Sequence, residues 1–201
     1  TTKEALKAIT EDIAIYLLGL QIDNVEFVDK ELLRIEKREA DIVATCLINN
    51  SLSILHLEIQ NDNDKDMAHR MLRYRLDIMK RYADIPIHQY VVYIGKDKLT
   101  MPSSLECDNL NYNYTIVDMH NIDCESLIKL DNPDALVLAI LCDFKNKSEK
   151  DVCYYIVKRL SELTEGDKQA FSKYTQMLET LSENRNLKNI IKEVEAMLSA
   201  V

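Results

Sequence analysis

Apolar positions recur at helical spacing through residues 3–20, with Leu6, Ile9, Ile13, Leu17 and Leu20 on one face and Glu4 and Glu11 opposite, and predict a first helix. The period then shortens. Residues 25–35 read as a strand after a turn at 22–24, and residues 39–48 and 51–60 as two further strands rich in β-branched and apolar side chains. Between the last two stands Asn49-Asn50, and because Asn tolerates positive φ this pair suits the primed turn of a two-residue hairpin. Such a turn pairs Ile48 with Ser51 and carries the register on until Asp41 faces Glu58. One face of the hairpin holds Ala40, Ile42, Ala44, Cys46 and Ile48 with Leu55, Leu57 and Ile59, and must be buried. The other face, Glu39, Asp41, Val43, Thr45 and Leu47 with Leu52, Ile54, His56, Glu58 and Gln60, is apolar near the turn and polar at its open end.

Asn61-Asp-Asn-Asp64 is a polar loop with good helix-capping residues, and Met67, Met71, Tyr74, Ile78 and Tyr82 predict a helix from about 65 to 83. Arg70 and Tyr74, four apart, share one of its faces. Pro86 closes the helix, and His88–Ile94 reads as a core strand ended by Gly95, parallel to its neighbour because a helix crosses over between them. Residues 96–111 read as a polar loop where mobility is expected, and residues 112–119 as one more strand, with His120 as a turn residue at its end. From Asn132 onward helices take over: 134–142 with Pro133 in the first turn, then 148–163, 167–181 and 186–198, broken near Gly166 and Asn184. The pattern divides the chain into an α/β part, 1–131, and a helical extension, 132–201.

A chain of 201 residues with 47% hydrophobic and 29% charged residues is long enough for one well-buried domain with a small appendage. No apolar run approaches the ~18 residues of a membrane span, and no secretory leader is evident, so a cytoplasmic location without membrane contact is expected. The five cysteines are scattered and never spaced as CxxC, which reads as reduced thiols, neither zinc site nor disulfide frame. There are no glycine-rich phosphate loops, sustained heptads or repeats. A net charge of −9 argues against tight nonspecific binding to nucleic acid, yet Lys65, His69, Arg70, Arg73, Arg75, Lys80 and Arg81 form a local basic stripe directly after the acidic strand.

The chemistry centres on Asp41 and Glu58. Like charges opposed across a strand pair repel, and a chain that keeps them usually has a cation to hold; Cβ atoms about 4.5–5.5 Å apart let two carboxylates share one divalent ion. The other reading is a pair of solvated charges at a strand end, and a three-residue loop in place of the two-residue turn would shift the register by one.

An acidic residue in one strand, Leu57-Glu58-Ile59-Gln60 in the next, Arg70-Met-Leu-Arg-Tyr74 on the following helix and then another strand form an ordered set. This set resembles the PD-(D/E)XK nuclease superfamily, most of all its Rpn/transposase-type members, over most of the chain. The resemblance implies an α/β, restriction-endonuclease-like core (αβββαβ, a mixed central sheet flanked by helices) with an all-helical C-terminal extension that could form a homodimer contact. It implies Mg²⁺-dependent phosphodiester hydrolysis, with Mn²⁺ as a substitute, by a DNA endonuclease of the transposase or recombination-promoting type; RNA stays open as a substrate. On this resemblance Asp41, Glu58 and Gln60 are catalytic, Asp41, Glu58 and the Ile59 carbonyl hold the metal, and Arg70, Arg73 and Tyr74 contact nucleic acid. Glu11 or Asp12 would add a further acid from the first helix. Two departures stand out: Ala40 replaces the family's proline, and Gln60 stands where most of the superfamily keeps Lys, so no charge is supplied there. The alternative is a catalytically weak or inactive nucleic-acid-binding or assembly module of the same fold, favoured by Gln60 and the charge of −9.

Overall fold

The computed structural model describes Thr10, residues 13–27 and residues 40–199. In the first described helical segment, Ile13–Leu17, the Leu18 N–H reaches back five residues to the Ile13 carbonyl at 3.2 Å, the closure of a π-turn. Gly19, at φ +65°, ends it in the left-handed region, short of the residue 20 expected from periodicity. Strand β1 follows at Ile22–Phe27, starting earlier than expected because Ile22 is buried and pairs with Ile48. Residues 28–35 of the expected strand lie outside the described residues.

Strands β2 (Ile42–Ile48) and β3 (Ser51–Gln60) form the expected hairpin. Asn49 and Asn50 sit at φ 51° and 63°, the two positive angles of a type I′ turn, and the ladder runs in one register from Ile48↔Ser51 to Ile42↔Leu57. Both hairpin faces are buried: Ile42, Ala44, Leu55 and Leu57 on one side, Val43, Ile54 and His56 on the other. Helix α1 (Met67–Arg81) then leads into β4 (Ile87–Tyr93), which lies parallel to β3. Met67, Met71, Tyr74 and Ile78 line the inner face of α1 and join Val43, Ile54, Val91 and Tyr93 in one apolar layer.

The stretch expected as a mobile loop and a single strand is built differently. It contains a small antiparallel hairpin, β5 (Ser104–Cys107) and β6 (Leu110–Asn113), and only then β7 (Thr115–Asp118), parallel to β4. Tyr112 and Tyr114 are both buried and their rings stack 6.0 Å apart, so the alternating run divides between two sheets at Tyr114. Asn63 pins the approach to this hairpin: its Oδ1 accepts from Thr100 N–H at 2.6 Å and its Nδ2 donates to the Lys98 carbonyl at 2.9 Å. The main sheet is therefore mixed and five-stranded, in the order β1-β2-β3-β4-β7.

Ile13–Asp118 form one compact unit, and Met119 onward belong to a second. The second is helical: α2 (Cys124–Ile128), α3 (Pro133–Ala139), α4 (Glu149–Leu163), α5 (Lys168–Ser182) and α6 (Lys188–Ser199). His120 lies in a 3₁₀ turn, Met119–Asn121, as a turn residue should. The helices start where side chains cap them: Asn132 accepts from Ala135 N–H with Pro133 in the first turn, Ser148 from Asp151 N–H, and Asp167 from Gln169 and Ala170 N–H. Gly166 and Asn186, both at positive φ, turn the chain between α4 and α5 and before α6. Ala135–Leu141, Val152, Ile156, Val157, Leu160, Leu178, Leu181 and Ile191 make its core. All five cysteines are unpaired thiols, and among the described residues no helix is long and apolar enough to cross a membrane.

Candidate functional site

The hairpin register that starts at the Asn49-Asn50 turn carries Asp41 to the position opposite Glu58, one step beyond the last ladder pair. There side chains take over from the backbone. Asp41 N–H donates to Glu58 Oε1 at 3.0 Å, and Ile59 N–H donates to Asp41 Oδ2 at 2.8 Å, so each carboxylate binds the partner strand's backbone in a reciprocal clasp. Asp41 is 4% exposed and Glu58 is 0% exposed, which removes the reading of solvated charges at a strand end.

A carboxylate so completely removed from water costs several kcal/mol unless donors surround it. Glu58 has them. Beside the Asp41 N–H, Oε1 lies 3.0 Å from His56 Nε2, and Oε2 accepts from Arg70 Nη2 at 3.1 Å. Arg70 in turn donates through Nη1 to Asp64 Oδ2 at 2.8 Å, while Asp64 Oδ1 accepts from Asp66 N–H at the start of α1. Burial opposes charge on Arg70, but its bonds to Asp64 and Glu58 outweigh that, and the guanidinium is held more firmly protonated than usual. Arg70 Nε is buried without a hydrogen-bond partner among the described residues. Among the described residues, Arg70 is the cation that bridges Glu58 and Asp64.

Of the other expected residues, Gln60 is half-buried on the same strand face as Glu58, and its carbonyl accepts from Ile94 N–H at 2.9 Å. Since Gln60 turns its carbonyl to β4, alternation turns the Ile59 carbonyl toward Asp41, the side on which the expected metal set would lie. Tyr74 is 5% exposed, its ring packed edge-on against His56 at 5.1 Å, so it supports the site from the core. Burial, with Glu58 nearby, raises its phenol above the ordinary value. Arg73 is exposed on the outer face of α1 with His69, Lys80 and Arg81, and Lys65 is exposed just before the helix, whereas Arg75 is half-buried and bonded to the Ile87 carbonyl and Gln89 Oε1 at 3.3 Å. Glu11 and Asp12 lie outside the described residues.

Two carboxylates and a carbonyl are the hard oxygen donors that suit Mg²⁺, which commonly takes one or two protein carboxylates and completes its shell with water and phosphate. The donor chemistry thus fits a divalent cation, although among the described residues no three His, Cys, Asp or Glu side chains are grouped to hold one. Sequence reasoning passed over three members of the network. His56 was legible as sharing the Glu58 face; Gln89 stands in direct parallel register with His56, and Asp64 was read only as a capping residue. No protein-family model, curated protein or solved structure matches the chain significantly.

Proposed function

We propose that this chain is a metal-dependent nuclease of the PD-(D/E)XK, Rpn/transposase type that hydrolyses phosphodiester bonds in DNA, acting in the cytoplasm. The observation that carries the reading is the reciprocal clasp of Asp41 and Glu58, two buried carboxylates fixed side by side where the hairpin ladder ends. Asp41, Glu58 and the Ile59 carbonyl would hold Mg²⁺ or Mn²⁺, whose contribution when bound is Lewis acidity and a bound water of lowered pKa. The remaining work falls to the protein. The backbone N–H groups of Asp41 and Ile59 fix the carboxylates, so little reorganisation is needed to present them. Arg70 yields Glu58 Oε2 while staying tethered to Asp64, and it can then turn its guanidinium, including the unpaired Nε–H, to a phosphate oxygen. Gln60 orients a water or phosphate oxygen without adding charge, and Arg73 meets the backbone of the nucleic acid from the outer face of α1.

The second reading, a noncatalytic binding or assembly module with homodimerisation through the helical part, is favoured by one observation: Arg70 already neutralises Glu58. Supercoiled plasmid incubated with the protein and Mg²⁺ or Mn²⁺, beside Asp41→Ala and an EDTA control, separates the two. Nicking lost in both controls supports the nuclease; intact plasmid with either metal supports the module.

A further inference from the structure

Beneath the carboxylate pair lies a buried polar chain to which the proposed reaction gives no part. His56 and Gln89 face each other in register across β3 and β4, with His56 0% and Gln89 6% exposed. The hydrogen-bonding atoms of Gln89 are fixed by their partners. Its nitrogen lies 2.9 Å from the Met71 carbonyl, which can only accept, and its oxygen lies 2.9 Å from the Tyr112 hydroxyl and 3.3 Å from Arg75 Nη1, which can only donate. The same nitrogen stands 3.0 Å from His56 Nδ1 and therefore donates to it. Nδ1 is then bare, the ring proton sits on Nε2, and Nε2–H donates to Glu58 Oε1 at 3.0 Å. Tyr74, edge-on to the ring, closes off its rotation.

We propose that His56 is a positioning residue for Glu58: Gln89 locks its imidazole in the Nε2–H tautomer, and the resulting bond to Oε1 turns Oε2 toward the place now taken by Arg70, where a divalent cation is received. This rests on the metal-dependent reading above. The logic is that of a ligand oriented by a hydrogen bond from behind, whose removal typically weakens metal affinity 10–100-fold. The chain of donors reaches from the hairpin residue Tyr112 through Gln89 to Glu58, so a residue 54 positions away in sequence helps to aim the carboxylate.

Two measurements on the full chain test it. Long-range ¹H–¹⁵N spectra of histidine-labelled protein read the tautomer without any metal: an Nε2–H ring at position 56, lost to a mixture in Gln89→Leu, is expected, and an Nδ1–H or doubly protonated ring in the unsubstituted protein overturns the proposal. Calorimetry with Mn²⁺ alone reads the consequence. His56→Leu should bind Mn²⁺ roughly 10–100-fold more weakly, while His56→Gln, whose amide nitrogen replaces the Nε2–H donor, should stay within about threefold. Equal Mn²⁺ affinity in His56→Leu and the unsubstituted protein overturns the positioning role while the metal site stands. Absence of Mn²⁺ binding by the unsubstituted protein overturns the metal reading itself, and the positioning role with it, whatever the tautomer.

Discussion

At the scale of single residues, Glu58 has exchanged repulsion for saturation. Its oxygens gather donors from Asp41, His56 and Arg70, and Glu58→Ala strips all of them at once. Breaking a buried ion pair from one side typically costs about 3–5 kcal/mol, so Glu58→Ala should lower stability by about 3 kcal/mol in the absence of any metal, read as a shift of the urea midpoint. A loss under about 1 kcal/mol would falsify the view that these contacts hold the fold as well as the site. The opposition of Asp41 and Glu58 was legible in the sequence because a two-residue turn and a period of two determine it from a short stretch of chain. The neutral donors behind Glu58 were not: Gln89 is 33 positions from His56, and only the parallel pairing of β3 with β4 brings the two together. Tyr74 illustrates the same limit. Helical spacing put it on a face with Arg70, and packing against His56 put that face inward.

Among the elements, the loop from Gln60 to α1 is the most tightly specified. A Cβ on Gly95 would stand 2.0 Å from the Asn61 carbonyl oxygen and 2.5 Å from the Tyr93 hydroxyl. The backbone oxygen cannot move without displacing the loop that carries Asn63 and Asp64. Gly95→Ala should therefore cost about 3 kcal/mol, at the upper end of overpacking substitutions, and loosen the Arg70 tether; thermal unfolding measures the first. A substitution that leaves the melting temperature unchanged would show that the loop can shift freely. Strand and helix types were largely readable here, including the parallel β4, because each carries a clear period and is bounded by turn or capping residues such as Asn49-Asn50, Pro86 and Gly95. The hairpin β5–β6 was hidden, since its short polar strands alternate weakly and Leu110 and Cys107 stay exposed. What holds it in place is non-local, the bond from the Tyr112 hydroxyl to Gln89 and the bonds from Asn63.

For the molecule as a whole, two features of charge set its response to solution conditions. Burial, with Asp64 adding to it and Arg70 opposing, pushes the Tyr114 phenol up to about 12 from its usual 10.0, and burial raises Tyr112 as well. Below pH 10 the folded and unfolded chains both keep these protons. Above it the unfolded chain releases them first, so stability should fall with rising pH from about 10 through about 12. Tyr114→Phe should flatten that decline, as followed by urea midpoints across the alkaline range. The second feature is the net charge of −9, set against the basic stripe exposed on α1 among the described residues. Arg73→Ala, at an exposed position, should change stability by less than about 0.5 kcal/mol, lower DNA affinity and reduce the salt slope of binding by about 1. An unchanged slope would mean that nucleic acid does not approach over α1.

The Asn49-Asn50 turn also sets a clock. Asparagine in an exposed turn before a small residue can cyclise onto the next backbone nitrogen, and the ring reopens largely as isoaspartate, which lengthens the main chain by a methylene. At Asn50, followed by Ser51, that lengthening enters the hairpin where its register is decided. Chemical ageing there would strain the turn from which the pairing of Asp41 with Glu58 is counted, while the buried ladder beyond it resists a slip.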